Sequence, residues 1–166
     1  VAGVTPGKGG IVVEGFPVYD TAQQALARHP EINCSVLYVP APAVFDAALE
    51  AIEAGVKLIV IVTEHVPVQD TARLRAIANY RGARILGPSS IGVIVPGVGK
   101  IGSIGGFDPT QAYSRGSVAI LSKSGGMCSE IAHMLTAVGI GQSNVIGIGG
   151  DRICASSFAD LLPLLE

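Results

Sequence analysis

Tryptophan is absent and there are only four phenylalanines and four tyrosines, so the core cannot lean on aromatic side chains and must be aliphatic. Charge is scarce as well: Asp, Glu, Lys and Arg make up 14% of the residues and the net charge is −2. That leaves no basic field for nucleic acid or an anionic membrane surface, and no local basic run supplies one. Cys34, Cys128 and Cys154 are odd in number, widely spaced and form no CxxC pair. Neither a disulfide framework nor a zinc site follows from them. The apolar runs fall well short of the roughly 20 residues of a bilayer-spanning helix, and no signal-peptide pattern opens the chain. These absences predict a soluble, intracellular protein, by default cytoplasmic.

What the chain does have is aliphatic residues and glycine. Hydrophobic residues reach 49%, and most of the 22 glycines follow apolar runs, the composition of buried strands that end in tight loops. Val1–Thr5 reads as a strand end, Ile11–Tyr19 as extended, and Thr21–Arg28 as a helix. Ser35–Val39, Leu58–Val62 and Arg84–Leu86 read as strands, and the β-branched run Leu58–Val62 suits a strand covered on both faces. Between them lie helical patterns over Ala43–Ala54 and Asp70–Tyr80, the first with Val44, Ala48, Leu49 and Ile52 on one face. This alternation predicts an α/β fold with a parallel, doubly wound sheet. Ile91–Ile104 is strand-like without a helix, and Gly105–Arg115 is polar and irregular. The expected division is a first domain over 1–106, a linker over 107–115 and a second domain over 116–166. The first domain is expected to lack an opening βα unit. The second holds two βα units, too few to cover both faces of a sheet.

Val118–Glu130 is the most informative stretch: a buried strand, the turn Ser122–Gly126, then a helix with Ile131, Leu135 and Val138 at the spacing of a core face. Such a turn aims free backbone N–H groups and the positive end of the helix dipole at one point, which suits a phosphate or carboxylate. Lys8, Pro40–Pro42, Thr63-Glu64 and Pro88–Ser90 each follow a strand. In a parallel sheet they gather at its carboxyl edge, where open α/β folds take extended nucleotide-like ligands. Two anion sites on two domains imply transfer between them. Gly97–Gly102 spells GxGxxG but leads into no helix, and Gly3–Lys8 is one residue short of a P-loop, with Gly9 where Ser or Thr would hold magnesium. Ser124 and His133 lack the GxSxG elbow of a hydrolase, and His133 falls on the polar side of its helix.

The segments Gly3–Gly10 (GVTPGKGG), Val39–Pro42, Val62–Glu64, Lys100–Gly102, Ser122–Gly125, Gly141–Ser143 and Gly147–Asp151 together resemble the α subunit of succinyl-CoA synthetase and its relatives, in order along the whole chain. The resemblance implies a Rossmann-like CoA-binding domain followed by part of a flavodoxin-like ligase domain. It implies coenzyme A on Lys8, Pro40, Val62, Thr63 and Glu64. It puts Ser122, Ser124, Gly125, Gly126 and Ser129 at the loop that faces a phosphohistidine and the carboxylate substrate. It further implies a β subunit, in an αβ or α2β2 assembly, that grasps ATP or GTP with magnesium. The reaction would be that of the tricarboxylic acid cycle enzyme: phosphoryl transfer to histidine, formation of an acyl phosphate, and attack by the CoA thiol. The family's histidine lies in a Gly-His-Ala-Gly motif that this sequence does not contain.

Ser103–Gly106, Gly125-Gly126-Met127 and Gly149–Arg152 are instead similar to the citrate-using branch, ATP-citrate lyase and citryl-CoA synthetase. Ser129, in place of the succinate enzymes' tyrosine, would enlarge the pocket, and Arg152, if it faces the site, would offer a further carboxylate partner. Succinate is the family's commonest acid and citrate the alternative. A CoA- or nucleotide-sensing module without catalysis, or an NAD-dependent oxidoreductase, are the rival classes. Without a matching histidine, this chain alone is expected to form no thioester from acid, nucleotide and CoA. Chromatographic detection of acyl-CoA would expose the opposite outcome.

Overall fold

The computed structural model describes residues 1–165. Short strands β1 (Gly3–Val4), β2 (Val12–Val13) and β3 (Phe16–Tyr19) form a small sheet in which β3 is parallel to β1 and antiparallel to β2. Helix α1 (Ala22–Arg28) follows. It starts where Thr21 accepts a hydrogen bond from the Gln24 N–H, satisfying one of the donors that a first helical turn leaves open.

The central sheet has β4 (Cys34–Leu37), β5 (Leu58–Ile61) and β6 (Arg84–Leu86) in that spatial order, all parallel. The crossovers are helices α2 (Val44–Glu53) and α3 (Val68–Arg81). Side chains alternate along β5: Ile59 and Ile61 pack with Val44, Ala48, Ile52 and Leu74 of the helices, whereas Val60 turns to the other face. There it meets Ile146, Ile148 and Leu161 from the C-terminal part of the chain. Both faces of β5 are thus covered, as its unbroken β-branched run predicts. Burial pushes the thiol of Cys34 up to about 11 and raises that of Cys128, so both behave as small neutral hydrophobes.

The second large sheet has strands β7 (Gly92–Val95), β8 (Gly99–Ile101), β9 (Arg115–Ser122) and β10 (Gln142–Gly147), ordered β8-β7-β10-β9. β9 and β10 are parallel and flank helix α4 (Gly125–Ala137) in sequence, but β7 pairs antiparallel with both β10 and β8. The strand-like stretch Ile91–Ile104, which carries no helix, thus enters this sheet as an antiparallel hairpin and does not extend the parallel sheet of β4 to β6. The GxGxxG letters over Gly97–Gly102 mark the turn and return strand of the β7-β8 hairpin, which extends the sheet beside β10. Helix α4 buries a different face from the one its apolar spacing predicts. Its buried residues are Cys128 and Ala132, with Leu135 half-buried, while Ile131 is 36% and Val138 70% exposed. The apolar pattern fits two faces of that helix, and packing selects the one with the smaller side chains, which lets α4 lie close on β9 and β10.

The segment Gly87–Ser90 joins the two sheets. The N–H groups of Ser89 and Ser90 donate to the carbonyls of Thr63 and Ile61, while the Gly87 N–H donates to Ile148 and Ser89 O accepts from Gly150. The buried Ser90 hydroxyl donates to Gly147 O at 2.6 Å and accepts from the Gly92 N–H at 2.9 Å. Gly87 has φ +103° and Gly149 φ +133°, and a Cβ on either would run into the carbonyl of Ile61 or Pro88. Only glycine permits this approach.

The short helix α5 (Phe158–Leu161) closes the far side of β6 with a capping box between Ser157 and Asp160. Arg75 reaches Asp160 Oδ2 at 3.1 Å, and Arg84 donates to the Asp160 carbonyl at 2.8 Å. Hydrogen bonds from Ser157, and then the Arg75 charge, hold the Asp160 carboxyl below the ordinary range. Because that pKa is lower folded than unfolded, its contribution is full above the unfolded value of about 4 and is lost as pH falls through the folded one. In urea unfolding, Asp160→Asn is expected to be less stable than the parent at neutral pH, with the difference shrinking to nothing as the solution is acidified.

Candidate functional site

The site starts at the C-terminal end of β9. Ser122 Oγ accepts from the Ser124 N–H at 3.0 Å and donates to the Ser124 carbonyl at 3.1 Å, folding the chain sharply into α4. Ser124 is the N-cap, its Oγ accepting from the Met127 N–H at 3.4 Å. Its hydroxyl oxygen is thus an acceptor in this turn, which leaves its hydrogen free to donate elsewhere. The first-turn N–H groups of Gly125 and Gly126 have no role within the helix. With the helix dipole they make this end attractive to negative charge.

That end opens on a cleft of about 360 Å³ bounded by Ile91, Ser103–Gly106, Tyr113, Gly125, Gly126 and Ser129. Lys100 reaches under the loop, its ammonium donating to the carbonyls of Ile104, at 3.1 Å, and Gly106. Asp108 caps the 3-10 turn Pro109–Gln111 and so delivers Tyr113, only 5% exposed, against α4. The Tyr113 hydroxyl lies 3.0 Å from Ser129 Oγ. Burial raises the Tyr113 pKa more than this hydrogen bond lowers it, so the phenol is neutral and can donate. Room left by a serine at position 129 is therefore shared with Tyr113. Nothing in the sequence marks that role beyond a lone tyrosine in a polar stretch.

A second cluster lies at the carboxyl edge of the central sheet. Pro40 follows β4 and caps the 3-10 turn Ala41–Ala43, and Val62, Thr63 and Glu64 follow β5. The Thr63 hydroxyl donates to Val39 O at 2.6 Å, locking these strand ends together. Glu64 is exposed and accepts from the Ser89 hydroxyl at 3.3 Å. Lys8 is also exposed, on a loop anchored by the Gly9 N–H to Asp20 at 2.9 Å, but that loop follows β1 in the small sheet. The expected single row of strand ends is thus split between two sheets.

Arg152 departs from expectation. It lines a separate cleft with His65–Val68, Asp151 and Ile153 and does not face Tyr113 and Gly125. His133 is exposed, in keeping with its position on the helix. Asp151 and Lys123 bridge the two clusters: Lys123 Nζ donates to the Asp151 carbonyl at 3.0 Å, and the Asp151 carboxylate accepts from the N–H groups of His65 and Val66. Contacts across more than eighty positions leave no trace in sequence spacing. Among the described residues no helix is long and apolar enough to cross a membrane.

Residues 1–65 match the CoA binding domain family and residues 121–165 the CoA-ligase family. Over its whole length the chain is 46% identical to succinate–CoA ligase [ADP-forming] subunit alpha 2 of Archaeoglobus fulgidus, covering 56% of that protein. To the corresponding alpha subunit of Aquifex aeolicus it is 42% identical, again over all of this chain and 53% of the other. The chain thus spans about half the length of the curated relatives it matches. Among solved structures, ATP citrate lyase from Methanothrix soehngenii, in complex with citrate and coenzyme A, superposes with a TM-score of 0.84 at 26% identity, covering 91% of this chain and 25% of that one.

The two glycines that open α4 respond differently to a methyl group. A Cβ on Gly125 would lie 2.5 Å from Ile91 Cγ2, whereas one on Gly126 would have nothing within 4 Å. Gly126→Ala is expected to raise stability by about 0.5–1 kcal/mol, and Gly125→Ala to lower it by about 1–3 kcal/mol, both measured by urea unfolding.

Proposed function

We propose that this chain is the CoA-binding and leading ligase part of the α subunit of an NDP-forming acid–CoA ligase that makes succinyl-CoA from succinate, CoA and ATP or GTP. The family matches at 1–65 and 121–165 support a CoA-binding part followed by a ligase part, with β7 and β8, expected in the first part, lying in the sheet of β9 and β10. The observation that carries the proposal is the joint at Gly87–Ser90. It makes one hydrogen-bonded unit of the strand ends assigned to CoA and the sheet whose β9 leads into α4.

In this reading a β subunit holds the nucleotide and its magnesium, and a histidine outside these residues receives the γ-phosphoryl group. The acid's carboxylate then takes the phosphoryl group from that histidine. The CoA sulfur next attacks the acyl carbon, the C–O bond to phosphate breaks, and thioester and inorganic phosphate result. The N–H groups of Gly125 and Gly126 lower the energy of the charge that builds on the phosphoryl oxygens, as a preorganised helix end does at no reorganisation cost. Ser129 and Tyr113 supply hydroxyls to the acid. Thr63, Glu64 and Pro40 shape the edge along which CoA lies, and the Lys8 ammonium is suited to its phosphate.

The cleft favours a second acid. Its 360 Å³ and the glycine-rich loop Ser103–Gly106 leave room for a tricarboxylate, and the likeness to an ATP citrate lyase supports citrate as the alternative substrate. The test is thioester formation by the full-length α subunit with its β partner, offered succinate, citrate and malate separately. Succinyl-CoA is the expected product, and Lys8→Ala should raise the KM for CoA about tenfold. Citryl-CoA as the main product would select the citrate reading. CoA binding without thioester from any acid would replace both with a sensing module, and tight NADH binding in its place would point to an oxidoreductase.

A further inference from the structure

Resting on that reading, we infer that Asp151 is a positioning residue for the CoA edge, holding the loop after β5 in its working conformation from the opposite sheet. Oδ1 accepts from the His65 N–H at 3.3 Å and Oδ2 from the Val66 N–H at 3.2 Å, so one carboxylate spans two consecutive backbone donors. His65 has φ 61°, in the left-handed region that residues other than glycine seldom occupy. Such a conformation persists when its surroundings over-determine it, and among the described residues the hydrogen bonds at the His65 and Val66 N–H groups come from Asp151. The His65 side chain itself is 91% exposed, so packing does little to hold it.

Asp151 is in turn placed by the segment that bears the first cluster. Lys123, inside the Ser122–Gly126 turn, donates from Nζ to the Asp151 carbonyl at 3.0 Å, and Ile148 hydrogen bonds back to Ser122. A relay of Lys123, Asp151 and the His65-Val66 backbone therefore spans the distance between the helix end that faces the acid and the strand end that faces CoA. The remaining anchors of the strand end do not involve Asp151. Thr63 still bonds Val39, and Ser89 still bonds the Thr63 carbonyl. Loss of the carboxylate should thus release His65 and Val66 while leaving β5, the sheet and the Tyr113–Ser129 cleft in place.

The experiment measures steady-state thioester formation by the full-length α subunit with its β partner, parent against Asp151→Ala and Asp151→Asn. Asp151→Ala should raise the KM for CoA about tenfold. The KM for the acid and kcat should stay within about twofold, with an unchanged thermal midpoint. Asp151→Asn keeps one acceptor oxygen for two donors and should fall between, at about threefold. An unchanged KM for CoA in Asp151→Ala would overturn the inference. So would equal increases in both KM values together with a lower thermal midpoint, the mark of general loosening. If the parent makes no thioester from any acid, the ligase reading fails. Calorimetric titration of parent and Asp151→Ala with CoA then decides separately on Asp151, a tenfold weaker Kd sustaining it and equal Kd values refuting it.

Discussion

The molecule depends on the hydrogen bonding of four residues, Gly87–Ser90, between two sheets. Buried backbone N–H and C=O groups must find partners, and this segment has both sheets within reach. Its donors go to Ile61, Thr63 and Ile148, and its acceptors take Gly150 and Ala155. The Ser90 hydroxyl, 1% exposed, completes the set by bonding Gly147 and Gly92. Pairing lost here would strand polar groups in an aliphatic interior, at about 1–3 kcal/mol for each. The strand ends at β5 and β10 are therefore held in a common frame, with a side chain allowed at neither Gly87 nor Gly149.

That frame explains why both candidate clusters lie at strand ends. The parallel strands of each sheet deliver loops to one edge, and the joint puts the edges side by side. The α4 N-terminus supplies directed N–H groups with no ionised side chain, which suits a protein with so few charges. Lys123 and Lys100 are spent on carbonyls of neighbouring loops, and so hold the walls of the site in place.

Much of the fold was legible. The β-branched run of β5 and the Val44/Ala48/Ile52 face of α2 are local patterns with one physical solution each, and the elements formed where these predict. Of the candidate site residues, Ser122, Ser124, Gly125, Gly126 and Ser129 lie together because they are neighbours in sequence at a strand-turn-helix. Thr63 reaches Val39, the residue before Pro40, because parallel strands in register bring their ends together. Tyr113, Asp151 and the antiparallel hairpin β7-β8 were not legible, since each acquires its place from a partner far along the chain. The face of α4 was misjudged for a related reason: Ile131 and Val138 fit the helical period as well as Cys128 and Leu135 do, and periodicity alone cannot say which side a sheet will cover.

By itself the sequence determined the element types, the aliphatic core and the turn that starts α4, because propensity, periodicity and glycine placement act over a few residues. Its motifs also carried the likeness to CoA ligases. Tertiary structure alone decided how the two sheets are joined, which face of α4 is buried, that Tyr113 rather than Arg152 borders the cleft, and that Asp151 reaches the loop after β5. These choices follow from satisfying buried backbone groups and from close packing across long separations, and no local pattern encodes which distant residue will be the partner.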